Sequence, residues 1–361
     1  MGAKVLIIGV GDVGGRFARL LGGSGEVDRL VLAGLCQGEG PFIAGMMSSC
    51  YDLLAEFVEL DATRQADVET LIREAKPDLI VQSGTLISPF TLFARGDPVA
   101  RAIVGAGLGL QLSAQLPVLM AVMRAVREVG FEGPVANISF PDVTHPLLDK
   151  LGLMPTVGLG NANIMVARVR DGLRRRLIAA GEDPAGLPLV RVIGHHHQVY
   201  GPLLAQIPED ADERIRVYLG EEGRRDDEVA YAGFPLRGDR TANELTTCAA
   251  LPVLRALLPG AAPLRTSCPA PQGLPGGYPV RIADGAVTLD FPPGVDLDEA
   301  VAFQTRIMAE DGIEAIADDG TVSYTGAARQ AMGAIDPELA EPLRPDAAAE
   351  RFRRLAAVLA R

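Results

Sequence analysis

The sequence has no tryptophan, and only four histidines and four cysteines among 361 residues. Cys36, Cys50, Cys248 and Cys268 show no CxxC spacing, which argues against a structural zinc site or a disulfide framework. Free thiols suit a reducing compartment, so a cytoplasmic location is expected. Positive charge is short as well: 34 Lys and Arg face 46 Asp and Glu, for a net charge of −12. No basic field exists to neutralise phosphates, so neither nucleic acid nor an anionic membrane surface is expected as a partner. The one basic cluster, "RDGLRRR" at 170–176, lies in a helical pattern and reads as a solvated helix face. Long apolar runs are lacking too; glycine, proline or charge breaks each one short of a membrane span. No charged-then-apolar leader precedes the first strand, which predicts no signal peptide. What remains is an ordinary globular balance, 48% hydrophobic and 22% charged, long enough for one or two domains.

Scarcity makes the histidines informative. Three stand together in "VIGHHHQVYG" at 192–201 as His195, His196 and His197, and the fourth is His145 in "NISFPDVTHPLL" at 137–148. Imidazole titrates near neutrality and suits acid/base or metal work, while an exposed loop or a satisfied core group is the plain alternative. Read as a strand, adjacent side chains face opposite sides. One side then offers His196 as a general base, and the other a His195/His197 pair. His145 follows Pro141-Asp142 at a helix start and reads equally as a helix-surface residue or a substrate contact.

The N-terminal stretch "KVLIIGVGDVGGRFARLLG" carries the strongest motif. Lys4 to Ile8 is a nearly continuous aliphatic run, as expected of a strand buried on both faces. Gly9, Gly11 and Gly14 follow as G-x-G-x-x-G, and Phe17, Ala18, Leu20 and Leu21 then fall at helical spacing. Strand, glycine turn and helix together form a dinucleotide-binding unit, with the pyrophosphate at the helix N-terminus beside Gly11, Asp12 and Val13. The second strand, at 29–35, should end in an acid for an NAD ribose, but Ala33, Gly34, Leu35 and Cys36 stand there. NAD and NADP both stay open, with a slight lean to NADP. A further strand–helix–strand unit is read at 57–60, 64–75 and 78–82, a helical stretch at 98–129, and a short strand at 134–139.

"DAT" at 61–63 and "PDLIVQSG" at 77–84 resemble turns of saccharopine-dehydrogenase-like and short-chain-dehydrogenase-like Rossmann domains. The resemblance implies that Asp61 and Ala62 lie near the adenine and that Ser83 and Gly84 line the cofactor. From Asn137 the chain is similar to the lactate/malate dehydrogenase family, through Pro141-Asp142, "VARVR" at 166–170 and Gly194-His195-His196-His197. That resemblance implies His196 as the proton donor and acceptor, Arg168 as the clamp on a substrate carboxylate, and Asn137 as a substrate-positioning residue. Met165 stands where the family's histidine-orienting aspartate would be, and Arg95 and Arg101 are the nearest arginines to its mobile loop. "GLGN" at 158–161 resembles the "GLCN" of family 4 glycoside hydrolases, which hold NAD and a divalent metal. Gly160 replaces their cysteine, which leaves His195, His197 and Asn161 as the ligands of any metal.

These readings predict an α/β protein with a Rossmann doubly wound parallel sheet at 1–145 and an α+β substrate domain at 146–361. The helix at 241–258 would turn Asn243, Thr246 and Thr247 toward substrate, or use them as ordinary cap residues. Hairpins are expected around Asp284-Gly285 and Asp319-Gly320, a final helix at 346–360, and an irregular connector at 268–279. The function these features point to is NAD(P)-dependent hydride transfer on a small polar hydroxy or keto substrate, in a homodimer by analogy of fold. A metal-assisted hydrolase or lyase using NAD as a redox relay is the alternative. A nucleotide-sensing protein without catalysis is the third reading, kept by the missing aspartate partner.

Overall fold

Residues 2–35 and 37–360 are described by a computed structural model. The first half runs β1 (Ala3–Ile8), α1 (Asp12–Gly22), β2 (Val27–Gly34), α2 (Glu39–Cys50), β3 (Leu54–Glu59), α3 (Gln65–Ala75) and β4 (Leu79–Gln82). Then come α4 (Pro89–Arg95), α5 (Pro98–Gly105), α6 (Leu108–Val129), β5 (Val135–Asn137), α7 (Pro141–Lys150) and β6 (Val157–Gly158). The six strands form one parallel sheet in the order β3-β2-β1-β4-β5-β6. This is the doubly wound order, whose direction reverses between β1 and β4 and opens a crevice at the strands' carboxyl ends. Alternation along β1 explains its aliphatic run: Leu6 and Ile8 enter the core on one face, Val5 and Ile7 the core on the other. The sixth strand lies past residue 145 and still belongs to this sheet.

The helical stretch after β4 is not continuous. It breaks between α5 and α6 at Gly107, whose φ is +83° and whose Cβ would lie 2.7 Å from the Asp311 carbonyl oxygen. The apolar run in α6 is also longer than the sequence reading allowed, because Pro117 is accommodated inside the helix. By length and hydropathy α6 could cross a membrane, but 89% of its apolar window is buried within the fold. A helix apolar on all sides is the expected form of a core element, and α6 packs on α3.

The second half holds α8 (Asn161–Ala180), β7 (Val190–Ile193), α9 (Tyr200–Leu204), β8 (Arg216–Leu219), β9 (Arg224–Arg225) and α10 (Ala242–Ala256). It continues with β10 (Leu264–Pro269), β11 (Gly277–Ala283), β12 (Ala286–Leu289), α11 (Leu297–Met308), β13 (Ile313–Ile316), β14 (Val322–Tyr324), α12 (Gly326–Ile335) and α13 (Ala348–Leu359). Its sheets are antiparallel, and both expected hairpins form, as β11–β12 and β13–β14. A bridge between Gly194 and Gly277 ties β7 to β11 immediately before the histidines. The C-terminal segment then returns to the parallel sheet: Ile313, Val322, Tyr324, Met332 and Leu355 bury in the same core as Leu6, Ile80 and Leu112.

Candidate functional site

The glycine turn is built by sterics. Gly9 has a φ of +96°, and a Cβ there would sit 2.3 Å from the Gly84 nitrogen. A Cβ on Gly14 would fall 1.9 Å from the Gly9 carbonyl oxygen. Gly11 differs, because a Cβ there would meet nothing within 4 Å; its open side faces a cavity of about 980 Å³. Gly9, Gly11, Asp12, Val13, Asp61, Ala62, Ser83 and Gly84 all line that cavity, while Gly14 stands behind it and seats α1 against the turn. Ser83 Oγ donates to the Gly9 carbonyl at 2.7 Å and pins the turn to the end of β4. The Asp61 carboxylate accepts from the Thr63 amide at 3.1 Å and from its hydroxyl at 2.7 Å. Asp12 accepts from Asn243 Nδ2 at 2.7 Å, Arg16 Nε at 3.1 Å and Arg240 Nε at 3.3 Å, which ties α1 to α10. Burial raises the Asp12 carboxyl, but these donors and charges outweigh it and hold the group below its usual range. Gly34 and Leu35 reach the cavity from the end of β2, and Cys36 lies outside the described residues.

The histidine triplet does not alternate as a strand would. β7 ends at Ile193, and a 3₁₀ turn over His196–Val199 follows. Gln198 holds the turn: its side-chain oxygen accepts from the His195 amide at 2.9 Å, and its Nε2 donates to the Glu213 carbonyl at 2.7 Å. The turn swings all three rings toward one carboxylate, Asp311. His196 Nδ1 lies 3.1 Å from Asp311 Oδ2, His195 Nδ1 3.2 Å from the same atom, and His197 Nδ1 3.6 Å from Oδ1. The division into a His196 face and a His195/His197 face is therefore replaced by a common cluster. His195 is fully buried, and its nitrogens lie off the hydrogen-bonding directions, so neither makes a directed hydrogen bond. His196 and His197 line the cavity; His196 also packs edge-on against Phe140, with ring centres 5.6 Å apart.

Burial pushes Asp311 upward, but the charge of His196, its hydrogen bond and the close approach of the other two rings dominate, so the carboxyl stays well below the usual range. Burial opposes charge on His196 too, yet Asp311 and then Asp142 raise it above its ordinary value. The nearby Asp311 carboxylate is the main cause of the rise at His197. The buried Asp142 supports the turn from the other side, accepting from the His196 amide at 3.1 Å and from Asn161 Nδ2 at 2.8 Å. Asn161 is thus turned to Asp142. Among the described residues, no group of three or more His, Cys, Asp and Glu is arranged to hold a metal ion.

Three expected substrate residues are placed elsewhere. Arg168 does not reach the cavity: it is buried, with Nε donating to the Pro202 carbonyl at 3.0 Å, Nη1 to Asp171 at 3.1 Å and Nη2 to the Phe234 carbonyl. Every arm of its fork is occupied, so no carboxylate clamp forms there. Asn137 is also fully buried; its Oδ1 accepts from the Ser139 amide at 2.9 Å and its Nδ2 reaches His145 Nε2 at 3.1 Å. His145 is neither a surface residue nor a substrate contact. It is fully buried, its Nδ1 lies 3.3 Å from the Ala270 carbonyl, and burial pushes it down to about 3. Of the candidates on α10, Asn243 and Thr246 line the cavity, while Thr247 donates back to the Asn243 carbonyl at 2.9 Å. Met165 fills apolar space beneath Gly194 and takes no part in orienting a histidine. That task falls to Asp311, whose place in "AEDGIE" looks like nothing more than a polar turn before a strand.

No family model and no curated protein matches this sequence. Solved structures do. A lactate dehydrogenase from a Medee basin deep-sea metagenome library is 12% identical, with a TM-score of 0.52 over 86% of this chain and 98% of that one. The Eimeria maxima lactate dehydrogenase, solved with NADH and oxamate, is 13% identical, with a TM-score of 0.55 over 86% and 93%. The Cryptosporidium parvum malate dehydrogenase is 16% identical, with a TM-score of 0.56 over 86% and 98%. Together with the strand order and the glycine turn, these likenesses show that the chain has the fold of the lactate and malate dehydrogenases.

Proposed function

We propose that this protein is a nicotinamide-dinucleotide-dependent oxidoreductase that interconverts a hydroxyl and a carbonyl group on a small polar substrate. The observation that carries the reading is one cavity lined both by the glycine turn and by an imidazole backed by a buried carboxylate. The turn fits a dinucleotide: Gly9 and Gly14 leave no room for a side chain, and Gly11 leaves its room to the cavity. The amides at the start of α1 would hold the pyrophosphate, with Asp61 and Ala62 toward the adenine and Ser83 and Gly84 under the nicotinamide half. When bound, the nicotinamide supplies hydride transfer. The chain supplies the proton. Ionised Asp311 can only accept, so His196 carries a hydrogen on Nδ1 and keeps Nε2 for the substrate. In oxidation Nε2 takes the hydroxyl proton, and in reduction it returns it. Phe140 and Leu159 help to keep water from the site.

We assign NAD(H) as the cofactor rather than NADP(H). Among the described residues lining the cavity there is no lysine or arginine to receive a 2′-phosphate. The test is a titration with NADH and with NADPH, followed by nicotinamide fluorescence, for which a chain without tryptophan gives little background. Saturable NADH binding is expected, and binding of neither form would sink the reading. His196→Ala should keep NADH affinity and lose at least about a hundredfold in turnover across a panel of alcohols, sugars and hydroxy acids.

A further inference from the structure

We propose that the substrate region of this cavity selects a neutral, hydroxyl-bearing molecule over a carboxylate, and that Gln111 and Gln115 make the selection. The proposal rests on the dinucleotide reading above, and deepens it. Gln111 and Gln115 are one helical turn apart on α6, so they share a face, and both line the cavity. They are 7% and 2% exposed, yet Gln111 Oε1 and Gln115 Nε2 have no hydrogen-bond partner. Buried polar atoms are nearly always paired; each of these amides keeps an atom that the fold does not tie down, so a turn of the side chain can bring it to a ligand in the cavity. Their position suits the substrate. The Leu86 amide donates to the Ala114 carbonyl at 3.0 Å, which lays the loop carrying Ser83, Gly84 and Thr85 against this turn of α6.

The pair offers one acceptor and one donor. A hydroxyl both gives and takes a hydrogen bond, so it can complete either atom; a carboxylate has acceptors only and would face the Gln111 lone pairs. Rotating both amides by half a turn merely exchanges the roles. Charge favours the same choice. Glu310 and Asp311 line the cavity on the histidine side, and no described lining residue is a lysine or arginine. The nearest expected cations are engaged elsewhere: Arg168 as described, Arg95 with Asp97 and the Leu359 carbonyl, and Arg101 with the Gly96 carbonyl. An anion entering here meets repulsion with no fixed partner beyond the histidines, whose charge Asp311 already answers.

The test uses the enzyme–NADH complex and carbon-matched probes: erythritol against malate, and propylene glycol against lactate, each followed by the change in NADH fluorescence. The polyol of each pair should bind at least about tenfold more tightly, since a site built around hydroxyl hydrogen bonds discriminates strongly. Equal or tighter carboxylate binding, or no measurable polyol binding, overturns the proposal. Gln111→Leu and Gln115→Leu should each weaken polyol binding at least about tenfold while melting no lower than the wild type, because each removes an orphan polar atom. Lower melting with unchanged polyol binding would make the amides structural, and lost NADH affinity would assign them to the cofactor; either result refutes the assignment. Gln115→Arg should invert the order of erythritol and malate, a gain that a folding defect cannot imitate. Failure of NADH itself to bind would strike the dinucleotide reading, whereas NADH binding with a carboxylate preference would strike only the substrate class.

Discussion

Replacing His145 with glutamine should make the fold less sensitive to mild acid, and the size of the effect follows from how this ring is held. The imidazole is fully buried, its Nδ1–H placed to donate to the Ala270 carbonyl at 3.3 Å and its Nε2 to accept from Asn137 Nδ2 at 3.1 Å. Asn137 cannot turn to offer an acceptor, because its Oδ1 is committed to the Ser139 amide. A second proton on the ring would face an N–H, and burial accordingly pushes the group from 6.5 down to about 3. The unfolded chain takes up that proton near its ordinary value, and the folded chain does not. Stability from this residue is thus fully present above about pH 6.5 and falls by about 1.4 kcal/mol for each pH unit below it, down to the folded value. Between pH 6.5 and pH 5 the loss is roughly 2 kcal/mol, a large fraction of a stability that is typically about 5–15 kcal/mol.

That window isolates the effect. His196 and His197 are raised, so their contribution is complete below the ordinary imidazole value and is lost only as pH rises through the raised values. Asp311 is held well below 3.8, so its contribution fades only in stronger acid. Urea unfolding at pH 6.5 and pH 5 should show the wild type losing stability and His145→Gln changing much less. Parallel losses in the two proteins would refute the reasoning. The same triad carries Ser139–Phe140–Pro141 into the cavity wall, so the wild type should also lose NADH affinity across this window before it unfolds globally.

Other perturbations separate the roles of neighbouring residues. Asp311→Asn removes the charge that raises His196, so the limb of the carbonyl-reduction profile that falls as pH rises should move to lower pH; an unmoved limb would deny the pairing. Gly11→Val places atoms only in open cavity, so melting should hold within a degree or two of the wild type while NADH affinity falls at least about a hundredfold; retained affinity would mean the turn is purely structural. Arg168→Gln should lower stability by about 2–4 kcal/mol through its lost buried hydrogen bonds and leave KM per folded molecule unchanged. A large rise in KM with normal stability would restore the expected carboxylate clamp.

The N-terminal unit was legible because its constraints are local. Strand, glycine turn and helix lie within one short stretch, and the sterics that demand Gly9 and Gly14 act between residues a few positions apart or across the adjacent strand end. Other elements were misread where packing overrode pattern. The helical stretch at 98–129 does run through Pro117, but it breaks at Gly107, where the Asp311 carbonyl approaches the backbone. "VARVR" places Arg168 on a helix correctly, yet the Pro202 and Phe234 carbonyls claim its guanidinium. The triplet's strand reading failed because β7 ends at Ile193, before the first of the three histidines is reached.

The sequence by itself determined the parallel sheet and the glycine turn, and it singled out the histidine triplet as the candidate for proton transfer, because backbone sterics and residue chemistry act over short range. Only the tertiary structure decided what orients that histidine. Asp311 stands 115 residues beyond His196, and it arrives there because the returning C-terminal segment buries Ile313 and Tyr324 in the core of the parallel sheet. Gly107 and Gly109 at the head of α6 make that approach feasible: a Cβ on the first would lie 2.7 Å from the Asp311 carbonyl oxygen, and on the second 3.0 Å from the Tyr324 ring. Nothing in the residues around the histidines encodes this partner. It follows from which apolar surfaces close on one another, and that depends on the whole chain.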